Sequence, residues 1–425
     1  MTIFFINRFN DIDHMAPVIY KMAKQRNHKI LVLSLNPNFD IFADYRLRFI
    51  NENPNIQLDY LYCLNIGKPF LFLLGNLLCY YGKASKEQHL NLLMKSLFYF
   101  RWFSSRIIRV VLNRIFNIDE SSFIKKNYDK RWIEDLFKKK SPKVLIFDHA
   151  SHPKLYNVGS ILKVARKMKI PTIDIPHGIP LFVKHPPWQN KAIYNLVNFR
   201  KDHMVLHQKW WKKELLKAGL DPKNTPILGS ARFCGEWMEI MEKIVPFDES
   251  LNNIGINKMK VLFMDSPRVP DNKIVENTVN NLSELDFISL IVKPQTRANK
   301  LLFKPSEDVY VSTIQNSVNL IKWADVVIVL FSSIMVEVLI RGKCYIYPKY
   351  MHKGEMIFEK YGACWTANNY DELQSALEKK YNQRDYIPYT QNNVDQFLNE
   401  VIFNGFDQQD ILNSYVDYIN GVSKT

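Results

Sequence analysis

Residues 171–181 read PTIDIPHGIPL, and this stretch decides how we interpret the fold. Its first five residues form an apolar run with the length and residue types of a buried strand. The strand ends at Pro176, His177 and Gly178, because proline fixes φ and lacks a backbone donor, while glycine permits unusual backbone conformations. We therefore expect His177 on a stiff turn at the carboxyl end of a parallel strand, where ligands bind in open α/β sheets. The alternative is a histidine that only bonds its own turn.

Two other predicted strands end in polar residues. Residues 2–6 form a strand, a polar loop follows over residues 7–14, and a helix is predicted over residues 15–25. A further buried strand, residues 143–147, ends at an aspartate. Because the carboxyl ends of parallel strands lie at one edge of a sheet, these residues are expected to meet. The candidate catalytic residues are His177, Asp148, Asp13, His14 and Asp11. In the alternative interpretation, Asp11 or Asp13 only caps the helix.

His177 is the favoured general base among these candidates. Histidine has an ordinary pKa of about 6.5 and accepts a proton near neutral pH, whereas an exposed aspartate, near 3.9, is a weaker base. Asp148 remains open as a base, as a nucleophile, or as the carboxylate that orients His177. A metal site from His149, His152 and His177 is conceivable, but their spacing fixes no geometry. We therefore predict no metal.

Length and composition indicate two domains and an anionic partner. The chain has 425 residues, of which 47% are hydrophobic and 23% charged, and its formal net charge is +15. No nucleic-acid motif is visible, so we expect no nucleic-acid partner. The five cysteines are scattered, which is typical of a reducing compartment. The first residues lack a signal-peptide pattern, and the longest apolar run is too short to span a bilayer. These features predict a cytoplasmic protein.

A helical insertion is predicted over about residues 67–125. Within it, Phe98–Arg114 interleaves aromatic residues with arginines. Such a segment either packs on the first domain or docks on an anionic membrane surface, with its apolar groups in the interface and its arginines on lipid headgroups. The second interpretation predicts a peripheral protein on the inner face of the cell membrane.

The second half of the chain repeats the β-α-β pattern. We predict an N-terminal domain over residues 1–245, a second domain over 255–390, and C-terminal helices over 391–425 that pack across the junction. Basic residues and a serine pair follow the strands of the second domain, where a phosphate could bind. These predicted phosphate-binding residues are Arg268, Lys293, Gln295, Arg297, Ser332 and Ser333. The alternative for Ser332 is a helix N-cap.

This layout resembles the GT-B glycosyltransferase superfamily along nearly the whole chain. The likeness is carried by Ala324-Asp325, an apolar strand, the serine pair, Glu337 and then Gly342-Lys343. It is similar to the donor-nucleotide segment of GT-B enzymes and related epimerases. The resemblance implies an α/β fold of two Rossmann-like domains facing a cleft. Residues 229–233 resemble the G-x-P-R turn of the same group, with alanine in place of proline. The resemblance adds Gly229, Ser230, Arg232 and Glu337 to the predicted donor-binding residues.

The turn at His177 resembles a second group. His177-Gly178-Ile179-Pro180-Leu181 is similar to the HGTPL turn of CDP-glycerol glycerophosphotransferases, whose histidine serves as a base; isoleucine here replaces threonine. The histidine-proline turn of that family corresponds to Lys293-Pro294-Gln295, without a histidine. Capsule and lipopolysaccharide transferases that use CMP-activated acidic sugars have a similar layout.

Together, these features predict a metal-independent glycosyltransferase that needs no cofactor. Its donor would be a nucleotide-activated sugar, and its acceptor a surface polysaccharide or a lipid-linked molecule. Such a reaction needs a base for the acceptor hydroxyl and positive charge for the leaving phosphate. A CDP-glycerol-type glycerophosphotransferase, a nucleotide-sugar epimerase, and a non-catalytic nucleotide-sugar-binding protein of the same fold are the alternatives.

Overall fold

The computed structural model describes most of the chain. The described residues are 1–25, 28–79, 107, 120–183, 187–266, 269–295, 301–307, 309–352 and 354–424. Arg268, Arg297 and all of Phe98–Arg114 except residue 107 lie outside them. No helix in these described ranges combines the length and apolarity needed to cross a membrane.

The chain divides into two compact units. The first comprises residues 1–178, 191–238 and 403–425, and the second comprises residues 179–190 and 239–402. Residues 179–190, which follow the His177 turn, thus belong with the second unit. The end of the chain belongs with the first.

The first unit contains a six-stranded sheet in the order β3-β2-β1-β4-β5-β6, with every pair parallel. Its strands are β1 (Thr2–Ile6), β2 (Ile30–Ser34), β3 (Ile56–Tyr60), β4 (Val144–Asp148), β5 (Thr172–Ile175) and β6 (His203–Met204). The central strands β1 and β4 read TIFFI and VLIFD and are buried along their whole length. Continuous apolar strands of this kind are typical of parallel sheets covered by helices on both faces.

The second unit repeats this architecture with the strand order β12-β11-β10-β7-β8-β9. The strands are β7 (Met259–Met264), β8 (Ile288–Lys293), β9 (Tyr310–Val311), β10 (Val326–Val329), β11 (Cys344–Pro348) and β12 (Trp365–Ala367). All five neighbouring pairs are parallel. The predicted α/β class with two Rossmann-like domains is therefore confirmed.

Helices join the strands of both units. In chain order they are α1 (Phe9–Ala23), α2 (Tyr45–Asn51), α3 (Pro69–Leu78), α4 (Glu120–Asn127), α5 (Lys130–Lys140), α6 (Val158–Lys167), α7 (Pro187–Asn198), α8 (Lys209–Lys217), α9 (Gly235–Ile244), α10 (Asn272–Ser283), α11 (Ser317–Trp323), α12 (Ile334–Ile340), α13 (Ile357–Lys360), α14 (Tyr370–Asn382), α15 (Gln391–Phe397) and α16 (Ile411–Val422).

The start of α1 differs from the prediction. The helix begins at Phe9, so residues 9–14 are helical rather than part of a polar loop. Asp11 lies in the first turn, and its Oδ2 accepts the backbone N–H of Asn7 at 2.8 Å. Asn7 lies just ahead of α1, and its backbone N–H, like those of the first helical turn, has no backbone partner within the helix. The Asp11 carboxylate satisfies this donor. Asp11 therefore holds the residue ahead of the helix rather than capping it, since Arg8 provides no side-chain cap for α1, and its other oxygen faces the end of the sheet.

A buried ion pair fastens strands β4, β5 and β6 together. Lys201, just before β6, places Nζ 2.9 Å from Oδ1 of Asp174 in β5. The same ammonium group donates to the backbone oxygen of Ser151, three residues beyond β4, at 2.9 Å. Asp174 Oδ2 also accepts the backbone N–H of Lys201 at 3.1 Å. Because both side chains are almost completely buried, this pair fixes the position of the loop that follows β4.

We expect Lys201→Met to lower the free energy of unfolding by about 3–5 kcal/mol at pH 8, because Asp174 is left buried without its cation. Burial raises the pKa of Asp174 to about 6. The decrease in the free energy of unfolding should therefore be smaller at pH 5, where Asp174 takes up a proton. Urea denaturation at the two pH values measures both effects.

Lys217→Met is the matched control. Lys217 pairs with Glu214 at 2.7 Å, but its side chain is 71% exposed. Exposed pairs contribute little, so this variant should stay within about 1 kcal/mol of the wild type. Equal losses in the two variants would contradict the role assigned to the buried pair.

Candidate active site

Three neighbouring strands of the first sheet bring the predicted catalytic groups to one edge. Strands β1, β4 and β5 are adjacent in the sheet order. Asp148 is the last residue of β4, His177 follows β5 by two residues, and Asp11 lies in the helix turn after β1. The structure therefore brings together three of the five predicted catalytic residues, at the carboxyl edge where ligands bind in such sheets.

The three side chains form a buried cluster around the His177 imidazole. His177 Nδ1 lies 2.7 Å from Asp148 Oδ1 and 3.6 Å from Asp11 Oδ1. The His177 side chain is 28% exposed, whereas those of Asp11 and Asp148 are 2% and 0% exposed. The backbone N–H of Ala150 donates to Asp148 Oδ1 at 2.7 Å. The imidazole is thus the member of the cluster that a substrate can reach, and the carboxyl groups lie behind it.

The cluster shifts the proton affinities of all three groups. Burial acts to raise the pKa of Asp148, but the adjacent imidazole outweighs burial and holds that pKa below its usual range. Burial acts to lower the pKa of His177, and Asp148 reverses this effect, so the His177 pKa is raised. Burial and then the charge of Asp148 raise the pKa of Asp11 to about 7. The site therefore combines an ionised carboxylate, a histidine that titrates above its ordinary range, and a carboxyl group that holds a proton near neutral pH.

The turn that carries His177 does not use the conformational freedom of Gly178. Pro176 is buried, and the carbonyl of Ile175 accepts the backbone N–H of His149 at 3.0 Å. Gly178, however, is not among the glycines with positive φ, and a Cβ atom built on it meets nothing within 4 Å. Gly178 therefore follows the strand without adopting a backbone conformation that other residues avoid.

Asp13 and His14 are not members of this cluster, although His14 lies near enough for the charge of His177 to act on it. Asp13 pairs through Oδ2 with Arg232 at 2.6 Å and through Oδ1 with Arg46. Both of its oxygens are therefore occupied by guanidinium groups. His14 is fully buried and packs against His207, with ring centroids 5.0 Å apart. Burial, and next the neighbouring His207, hold the pKa of His14 well below its ordinary value. The geometry thus favours His177 over both residues as the proton acceptor.

The described part of the chain also contains several buried polar groups without hydrogen-bond partners, of which His207 and Gln208 were missed from the sequence. Among the described residues, His14, His207, Gln208 and Ser230 each have a side-chain nitrogen or oxygen that is buried without a hydrogen-bond partner. Buried polar atoms of this kind are costly and are uncommon outside functional sites. His207 and Gln208 follow β6, so the signal that would have found them is the one used for Asp148 and His177: polar residues at the end of a strand.

Asp11, Asp148 and His177 could together hold a metal ion. Among the described residues, no other group of three or more histidine, cysteine, aspartate or glutamate side chains could do so. Each of the three offers one ligand atom, and these atoms lie within 4.8 Å of one another. His149 and His152, considered as ligands from the sequence, do not belong to this group. The contact between His177 Nδ1 and Asp148 also suits proton transfer.

The predicted G-x-P-R-like turn lies in the first unit. Gly229 has a φ of +72°, which favours glycine, and its carbonyl accepts the hydroxyl of Tyr415 at 2.9 Å. Ser230 is buried, and Arg232 pairs with Asp13. In this structure the turn therefore connects α1 and α16, and its donor-binding role stays a prediction.

The remaining predicted donor residues that the structure describes lie in the second unit. Lys293 ends β8, and its Nζ donates to the carbonyl of Gln315 at 2.8 Å. Ser332 and Ser333 precede α12, as predicted. Glu337, in α12, pairs with Arg341 at 3.0 Å. Gln295 is half-buried. Their role in binding a phosphate also stays a prediction.

Comparisons with known proteins address the fold. No protein-family model and no curated protein sequence matches this chain. Among solved structures, MnaA of Staphylococcus aureus, determined with UDP, is similar at a TM-score of 0.56 and 13% identity, over 99% of this chain and 96% of that one. UDP-GlcNAc 2-epimerase from Neisseria meningitidis, bound to UDP-GlcNAc, is similar at a TM-score of 0.54 and 12% identity, over 99% and 100%.

A third similar structure is the glycosyltransferase of kitacinnamycin, with a TM-score of 0.50 and 11% identity, over 98% of both chains. These likenesses extend over nearly the full length of each chain. They show that this chain has the GT-B fold. At such low identity they show the fold alone.

Proposed function

We propose that this protein is an enzyme that acts on a nucleotide-activated sugar and uses His177 as its proton acceptor. The observation that carries the proposal is the cluster of His177, Asp148 and Asp11 at the carboxyl edge of the first sheet. A protein that only binds nucleotides has no need for a partly exposed imidazole backed by two buried carboxyl groups. Perturbed ionisable groups of this kind are characteristic of catalytic sites.

In the proposed mechanism, Asp148 orients the imidazole. Its contact with Nδ1 fixes the ring and stabilises the positive charge that His177 acquires. His177 then accepts a proton from the substrate through Nε2. This arrangement needs no change of backbone at the site, because β4 and β5 hold both residues. The oriented His–Asp pair is one that recurs in enzymes with histidine bases.

Two reactions fit this pair. Epimerisation of the sugar is favoured by the structural neighbours, several of which are UDP-GlcNAc 2-epimerases, including two bound to UDP-GlcNAc. It requires a proton to be removed from carbon and returned, and the partly exposed imidazole supplies the base. Glycosyl transfer is the second candidate, favoured by the glycosyltransferase neighbour and by the resemblance of the His177 turn. It requires only the base, with positive charge for the leaving phosphate.

The phosphate would bind in the second unit. The predicted residues there are Lys293, Gln295, Ser332, Ser333, Glu337, Arg268 and Arg297. Lys293 supports this assignment because burial lowers its pKa and no acidic side chain pairs with it among the described residues. A phosphate would supply the missing negative charge. A membrane-bound or polysaccharide acceptor remains part of the glycosyl-transfer proposal, with Phe98–Arg114 as its predicted docking segment.

We expect His177→Gln to lower turnover by roughly 10²-fold or more, because it removes the general base. Nucleotide affinity should stay near the wild-type value, since the predicted phosphate residues lie in the second unit. Steady-state kinetics and calorimetric titration with the nucleotide measure the two quantities.

His203→Gln is the matched control, because His203 instead contacts the hydroxyl of Tyr418 at 2.7 Å. This variant should keep wild-type turnover. If His177→Gln keeps its turnover while Asp13→Asn loses it, the base is Asp13 and the proposed mechanism fails.

Deuterium incorporation separates the two reactions. A thermal-shift screen of UDP-, GDP-, CMP- and CDP-linked sugars, together with CDP-glycerol, first identifies the bound donor. The enzyme is then incubated with that donor in D₂O and the products are followed by proton NMR. Epimerisation replaces a carbon-bound hydrogen, so we expect deuterium on the sugar ring. Transfer to an added acceptor without ring deuterium would instead support the glycosyltransferase, and stabilisation by CDP-glycerol alone would support the glycerophosphotransferase.

A further inference from the structure

One imidazole nitrogen faces two buried carboxyl groups. Asp148 Oδ1 lies 2.7 Å from His177 Nδ1, and Asp11 Oδ1 lies 3.6 Å from the same atom. This nitrogen carries at most one hydrogen, so it can serve only one carboxylate at a time. Asp11 Oδ1, Asp148 Oδ2 and His177 Nδ1 itself are buried and make no hydrogen bond of standard geometry among the residues that the structure describes. The two carboxyl groups therefore act on the imidazole at close range through their charge.

The positive charges around the cluster do not offset the negative charge of two carboxylates beside a neutral imidazole. The other charged or titratable groups that act on it are the Arg8 guanidinium, which affects Asp11 and His177, the imidazoles of His14 and His149, and the Asp174 carboxyl group, which interacts with Asp148 and is paired with Lys201. Burial lowers the pKa of both of these histidines, so neither supplies positive charge near neutral pH. A second buried carboxylate is costly in such surroundings. The cluster therefore retains a proton, which resides either on Asp11 or on His177.

We propose that Asp11 is a positioning residue whose charge, 3.6 Å from Nδ1, sets the charge state of His177. This inference rests on the function proposed above, in which His177 must be neutral to accept a proton. When Asp11 holds the shared proton, Nδ1–H serves Asp148 and the ring is a base. When Asp11 is ionised, its negative charge favours the imidazolium form, which accepts no proton. Asp11 thus determines the pH above which His177 can act.

The test follows the protonation of His177 directly. The protein contains ten histidines, so the ¹³Cε1 resonance of His177 is assigned from its loss in His177→Gln. The resonance is then titrated by NMR in the wild type and in Asp11→Asn, with a chelator present. An asparagine carbonyl still accepts the Asn7 N–H but carries no charge. We expect the titration midpoint of His177 to fall by about one pH unit, because an anionic neighbour has been removed.

Asp13→Asn is the control. It makes the same substitution two residues further along α1, where the carboxylate pairs with Arg46 and Arg232, and it should leave the His177 midpoint unchanged. An unchanged midpoint in Asp11→Asn would overturn the proposal. If that variant does not fold, the wild type decides: the His177 resonance should move in two steps, and a single step would overturn the proposal.

This measurement uses no substrate. A failure to bind nucleotide sugars would contradict the proposed function and leave the titration result standing. In the active enzyme, the acidic limb of the pH profile of kcat/KM should shift in Asp11→Asn by the same amount as the titration midpoint of His177. A limb that stays in place while the midpoint shifts would separate His177 from the catalytic step.

Discussion

The 2.7 Å contact between Asp148 and His177 joins the ends of two neighbouring strands and gives the site its chemistry. Asp148 is held by its position as the last residue of β4, where Ala150 donates to it. His177 is held by the proline that ends β5. Because both residues depend on the register of two buried strands, the orientation of the imidazole follows from the packing of the sheet. The Lys201–Asp174 pair contributes by fixing the loop just beyond β4.

The same burial that creates this chemistry weakens the fold. Asp11 has a folded-state pKa of about 7, well above that of an unfolded chain. Its proton therefore stabilises the fold fully below the unfolded pKa, and this contribution is lost as the pH rises through about 7. Asp148 acts in the opposite sense, because its pKa is lowered. The site thus places one protonated and one ionised carboxyl group beside His177. The fold is less stable near neutral pH as a result.

Local patterns predicted the strands and their polar ends well, because continuous apolar runs and proline or glycine breaks are short-range signals. The start of α1 was missed because Arg8 provides no side-chain cap and the helix opens with residues typical of loops. The pairing of Asp13 with Arg232 was also missed, since these residues are 219 positions apart. No local pattern reports such a contact. The sequence therefore gave several candidate bases, and only the three-dimensional arrangement separates His177 from Asp13.

A crystal structure of the protein with its nucleotide-linked sugar bound would show whether His177 is the proton acceptor. We expect the atom that loses its proton to lie within about 3.5 Å of His177 Nε2, while Nδ1 keeps its contact with Asp148. A sugar bound with its reactive atoms beyond the reach of His177, and beside Asp13 or another acidic group instead, would contradict this expectation.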